Sequence, residues 1–150
     1  MESGGGDMQS SVATYKNILT NAKLATDHLV NIKEYAVYNK QVPSGGAWWI
    51  SQLERVNAIN LRGNWLSTRS LHDFMAGLLG KPNAGTRSYS STAGGYWPAA
   101  EFNVYRYYNK NMTGNRIATD PTQDLQGEVY AVVDSDRVRL LVSTRVPTGT

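Results

Sequence analysis

The stretch Leu29-Val30-Asn31-Ile32-Lys33-Glu34-Tyr35-Ala36-Val37-Tyr38-Asn39 constrains the fold more than any other part of the chain. Its Val, Ile and Tyr content favours a strand. Ahead of it, Val12, Tyr15, Ile18, Leu19, Ala22 and Ala25 recur at helical spacing, with Lys16 and Lys23 outside the stripe. Behind it, Gln41-Val42-Pro43-Ser44-Gly45-Gly46 reads as a turn, and helical spacing resumes through Trp49, Leu53 and Val56. A short strand with Gly63 inside it is expected over 60–66. This alternation of helix and strand predicts α/β layering with parallel strands. Glu34 then stands at the C-terminal end of its strand, which in a parallel barrel is where the βα loops gather and where chemistry is done.

A third helix is expected after Ser70 as N-cap, with Leu71, Phe74, Met75, Leu78 and Leu79 on one face and Gly80 and Pro82 stopping it. Residues 83–95 are rich in Ser, Thr, Gly and Ala and read as a long loop. Pro98 is expected to open a helix running through Phe102, Val104, Tyr105 and Tyr108 to the neighbourhood of Gly114. Beyond it the period changes to two, predicting strands over 116–119, 128–133 and 138–143, the last pair joined by Asp134-Ser135-Asp136-Arg137. Val138, Leu140 and Val142 alternate with Arg139, Leu141 and Ser143, so the all-apolar side of the last strand is expected to be buried and the other mixed.

Helices and parallel strands followed by antiparallel strands is the order found where a (β/α)8 barrel ends and a β-domain packs on it. The expected organisation is a disordered stretch over 1–10, the last two parallel strands of a barrel with their helices over 11–113, and part of an antiparallel β-sandwich over 114–150. A closed barrel typically takes ~250 residues, and this chain has 150, so the expected fold class is α/β with a partial barrel and a small β-domain.

Composition narrows the function. The net charge of +3 comes from scattered Lys and Arg, never from a run of them, which argues against a nucleic-acid partner. Without cysteine there is neither a disulfide framework nor a thiolate metal site. His28 and His72 are isolated and lack metal-ligand spacing, so no metal and no cofactor is expected. No apolar run is long enough to span a membrane, and Met1-Glu2-Ser3-Gly4-Gly5-Gly6-Asp7 has no signal-peptide character. Nine Tyr and four Trp suit the faces of sugars, although they equally suit a core.

Three segments together carry a family resemblance: Ile32-Lys33-Glu34-Tyr35, Arg62-Gly63-Asn64-Trp65, and Tyr107-Tyr108-Asn109 through Gly114 to Val129-Tyr130-Ala131. They resemble retaining glycoside hydrolases of the clan containing families 39, 51 and 79. The resemblance implies that Glu34 occupies the nucleophile position at the end of barrel strand seven. It also implies that Tyr35, Asn64 and Trp65 are substrate-binding residues and that carbohydrate is the partner. Full-length relatives are expected to be secreted, which leaves the location of this chain open.

Retaining hydrolysis needs two carboxylates ~5 Å apart, one attacking the anomeric carbon and one protonating the leaving oxygen. In the resembled clan the acid/base residue follows an Asn at the end of strand four, and this chain has no Asn-Glu pair. The expectation is therefore a glycosidase fragment that is inactive alone, with self-association through its open barrel edges. The alternative is a non-catalytic carbohydrate-binding module using Trp48, Trp49, Trp65 and Trp97. Judged without the resemblance, Glu34 is a solvated strand end, Trp48 and Trp65 are core, Glu54, Arg55 and Asp73 are solvated helix faces, and Tyr105, Tyr107 and Tyr108 pack the last helix on the β-domain.

Overall fold

The computed structural model describes residues 7–36, 40–62, 78–80, 86–88, 90 and 94–145, excepting the side chains of Lys33, Glu34, Leu61 and Arg62. Its centre is α2 (Pro43–Arg55), in which every residue from 45 to 53 is buried. A helix that is apolar on all sides is stable only between two layers. Gly-Gly-Ala-Trp-Trp-Ile-Ser-Gln-Leu comes close to such a sequence: its two polar side chains, Ser51 and Gln52, are buried and hydrogen-bonded, and charge enters only at Glu54 and Arg55.

One layer is built from α1 (Met8–Asn21), β1 (Asn31–Tyr35) and β2 (Ile59–Arg62). β1 and β2 are parallel, pairing Asn31 with Ile59, Ile32 with Asn60 and Tyr35 with Arg62, and α2 is the crossover between them. Met8, Ile32, Tyr35, Ala36, Trp48, Trp49 and Leu53 close this side of the core. The other layer is the antiparallel sheet of β5 (Asn115–Ile117), β6 (Gly127–Val133) and β7 (Val138–Thr144), in that order. With α3 (Ala100–Asn111) it closes a second cluster of Ile50, Met112, Tyr130 and Val132. A two-residue antiparallel bridge joins β3 (Leu79–Gly80) to β4 (Trp97–Pro98).

The chain is thus a mixed α/β protein with an antiparallel three-stranded sheet, as its periodicity predicts. Several details depart from expectation. α1 begins at Met8, inside the stretch read as disordered, because the Asp7 carboxylate accepts a hydrogen bond from Ser10 N at 3.0 Å and caps the helix. Of the expected apolar stripe only Val12 is buried, joined by Met8 ahead of it, whereas Tyr15 and Ile18 are 46% and 60% exposed. Ser44, Gly45 and Gly46 belong to the first turn of α2, opened by Pro43. Leu79 lies in β3, outside any helix, and Pro98 lies in β4, so α3 starts at Ala100. Residues 70–77, the body of the expected third helix, fall outside the described residues.

Candidate active site

Glu34 is the next-to-last residue of β1, at the C-terminal end of a parallel pair. The pairing is irregular there. From Ile32 to Tyr35 the chain advances three residues on β1, while β2 advances two, from Asn60 to Arg62. The physical reason is visible in the core. Ile32 and Tyr35 both pack in the cluster on α2, and residues three apart in a regular strand face opposite ways. An extra residue between them, at Lys33 or Glu34, reconciles the two burials, and bulges of this kind recur beside functional sites where they re-aim a side chain.

The backbone beyond the strand is held by short-range contacts. Ala36 has φ 64°, an uncommon conformation for a residue with a Cβ, and its carbonyl accepts from Gln41 Nε2 at 3.1 Å. Tyr35 is 2% exposed, with its ring 5.5 Å from that of Trp49 and its hydroxyl 2.8 Å from the Tyr105 hydroxyl. It is therefore a core residue that anchors the neighbour of Glu34 to α2 and α3, and its ring offers no open face to a sugar. Asn64 and Trp65 fall outside the described residues.

Two charged side chains that sequence reasoning did not single out are buried near this end. Lys40 is 1% exposed and Glu101 2% exposed. Glu101 stands in the first turn of α3, where a carboxylate suits the positive helix end, and it packs on Gly46 in the first turn of α2. A Cβ on Gly46 would meet Glu101 Oε1 at 2.8 Å. The signal for Glu101 was its place after Pro98-Ala99-Ala100; nothing in the sequence places it against Gly46.

The far end of α2 carries a second polar assembly. Arg55 and Glu128 form a two-pronged ion pair, with Arg55 Nη1 to Glu128 Oε1 at 2.8 Å and Nη2 to Oε2. Gln52 Nε2 also donates to Glu128 Oε1, and Met8 N donates to Gln52 Oε1 at 2.8 Å. Glu54 accepts from the Tyr108 hydroxyl and lies 3.7 Å from Arg116. Burial, reinforced by Glu54, holds the Tyr108 hydroxyl well above the usual tyrosine range, and burial raises Tyr130 in the same direction. A cavity of about 210 Å³ opens here, lined by Ser51, Arg55, Arg116, Thr119 and Tyr130 among others. Glu54 and Arg55 are thus joints between layers and not solvated helix faces.

Among the aromatics, Trp48 and Trp49 are buried, and the Trp48 indole N–H donates to Leu125 O at 3.2 Å. Trp97 is 49% exposed, next to the exposed Tyr96. Tyr105 and Tyr108 are half-buried, Tyr108 packing edge-on against Tyr130, while Tyr107 is exposed. No group of three or more His, Asp or Glu side chains suited to a metal ion occurs among the described residues. No helix among them is long and apolar enough to cross a membrane. Compared with models of protein families, with curated proteins and with solved structures, the chain matches none.

Proposed function

We propose that this chain is the C-terminal part of a retaining glycosidase, with Glu34 in the nucleophile position, and that it is inactive without the strands that would carry the acid/base. The observation behind this reading is the setting of Glu34: one residue from the C-terminal end of a parallel strand, at the bulge between Ile32 and Tyr35. In a parallel barrel that is the catalytic end. The described residues hold two parallel strands, where a closed barrel holds eight, so the remaining strands and the second carboxylate would come from other polypeptide. In the reaction, the Glu34 carboxylate would bond to the anomeric carbon as the glycosidic C–O bond breaks. The leaving oxygen would take its proton from the second carboxylic acid, and water would then release the sugar.

The test is mechanism-based labelling with a panel of activated 2-deoxy-2-fluoro glycosides, followed by peptide mass spectrometry. Two samples are compared: the chain alone, and the chain expressed with polypeptide supplying the missing strands. The expected result is a label on Glu34 in the second sample and none in the first. A label on another carboxylate of the reconstituted enzyme removes Glu34 from the role. The carbohydrate-binding alternative rests on the exposed Tyr96 and Trp97, since Trp48 and Trp49 are buried. Polysaccharide affinity that survives Glu34→Gln and disappears in Trp97→Ala would favour it.

A further inference from the structure

The three-stranded sheet carries apolar side chains on both faces, and among the described residues only one face is covered. Its inner face meets α2 through Glu128, Tyr130 and Val132. On the outer face, Val129 pairs with Val142, Ala131 with Leu140 and Val133 with Val138, and Ile117 of β5 lies beside Ala131. Val138 and Leu140 are each 56% exposed and Val142 68%, with Val133 and Ile117 at 38%. This inverts the expectation that the Val138, Leu140 and Val142 side of the last strand is the buried one. It leaves an apolar patch on the order of 400 Å², the size of the largest patch on an ordinary monomer, which is often functional.

We propose that this outer face is the interface of a homodimer, in which the sheets of two copies stack face to face. Three features favour a second copy as the occupant. The face is large in relief at Leu140 and recessed at its direct neighbour Ala131, which is 3% exposed. A two-fold axis between them sets each Leu140 over the partner's Ala131, so the surface is complementary to itself. Its cross-strand pairs carry no charge, so two copies of a chain of net charge +3 meet there without like-charge repulsion. Two sheets also match in flatness and pack aligned at about 10 Å separation. With its rims the contact removes on the order of 1,000 Å² in total, the lower bound of a specific interface, so a weak, reversible dimer is expected.

This contact is separate from the open barrel edges and does not depend on the glycosidase reading. Sedimentation velocity of the full chain from about 1 to about 200 µM tests it, since that range brackets the dissociation constant of a weak dimer. The wild type is expected to pass from monomer to dimer across the range. Leu140→Lys and Val142→Lys, both at exposed positions, should raise the dissociation constant at least about 30-fold with unchanged circular dichroism. Ile18→Lys, on the exposed stripe of α1, should leave it unchanged. A wild type that stays monomeric throughout, a dimer that survives both sheet variants, or one abolished by Ile18→Lys overturns the proposal.

Discussion

Glu128→Gln would leave the Arg55 guanidinium, whose side chain is 12% exposed, facing a neutral amide in place of a carboxylate that is fully buried. Three hydrogen bonds converge on that carboxylate, two from Arg55 and one from Gln52. An exposed pair would contribute less than about 1 kcal/mol, but this one is shielded from water on both partners. Removing one member of a buried pair strands the other and typically costs ~3–5 kcal/mol. Against a total stability of ~5–15 kcal/mol, either Glu128→Gln or Arg55→Met should remove a large fraction.

The double variant Arg55→Met/Glu128→Leu, compared with Arg55→Met alone and Glu128→Leu alone, separates the pair's attraction from the cost of a stranded charge. If the singles act by stranding, the double should cost less than either of them, because a buried pair and a well-packed apolar substitute are often close in energy. Urea unfolding followed by tryptophan fluorescence reports on this directly, since Trp48 and Trp49 are buried in the same helix. Singles within about 1 kcal/mol of wild type would show the pair behaving as a surface one. Additive singles in the double would show that Arg55 and Glu128 act independently. Either result refutes the reasoning.

Two further perturbations follow from the helix start and from the tyrosine cluster. Ala in place of Gly ordinarily gains ~1 kcal/mol inside a helix, yet Gly45→Ala would drive a Cβ into the Lys40 backbone carbonyl; a net loss of ~1–3 kcal/mol, seen as a lower thermal midpoint, is expected. Gly46→Ala meets the Glu101 side chain, Oε1 at 2.8 Å and Cγ at 3.1 Å, and no backbone; it should cost less, so the reverse order would show that Lys40 gives way. Tyr108 is held above the usual tyrosine range, burial first and the Glu54 hydrogen bond second. Its proton therefore stays on in the folded chain after the unfolded chain has lost it, and stability present below pH ~10 falls as pH rises beyond it. Tyr108→Phe should flatten that decline in urea titrations above pH 10, and an unchanged slope would assign the loss to other groups.

The elements legible in the sequence were those whose period is set locally. The strand at Leu29 to Tyr38, the helix through Trp49 and Leu53, and the hairpin around Asp134 to Arg137 all appear, with shifted ends. What was illegible depends on a second layer. Trp49, Leu53 and Val56 mark one apolar face, but residues 45–53 are all buried because a sheet lies on each side of α2. Gly45 and Gly46 resemble turn residues, yet their missing side chains admit the Lys40 carbonyl and Glu101. Glu128 looks like the solvent half of an alternating strand, and its partner Arg55 lies 73 positions earlier. At Glu34 the strand end was readable from composition; the bulge was not, because it follows from Ile32 and Tyr35 both needing the α2 side.

The change of period near residue 114 marks a change of topology, but the core does not divide there. Ile50 and Met112 from the helical part pack with Tyr130 and Val132 from the sheet, and the Trp48 indole is tied to Leu125. α2 spans ~20 Å at 1.5 Å per residue. At its middle it meets Tyr35 through Trp49, and at its C-terminal end it is clamped to β6 by Arg55 and Glu128. A helix buried on all sides cannot keep its place if one layer is taken away, because Trp48 and Ile50 would then face water. The position of the β1 end, and with it the backbone of Glu34, accordingly depends on the sheet strands between residues 127 and 144, although none of them lies beside β1 in a sheet.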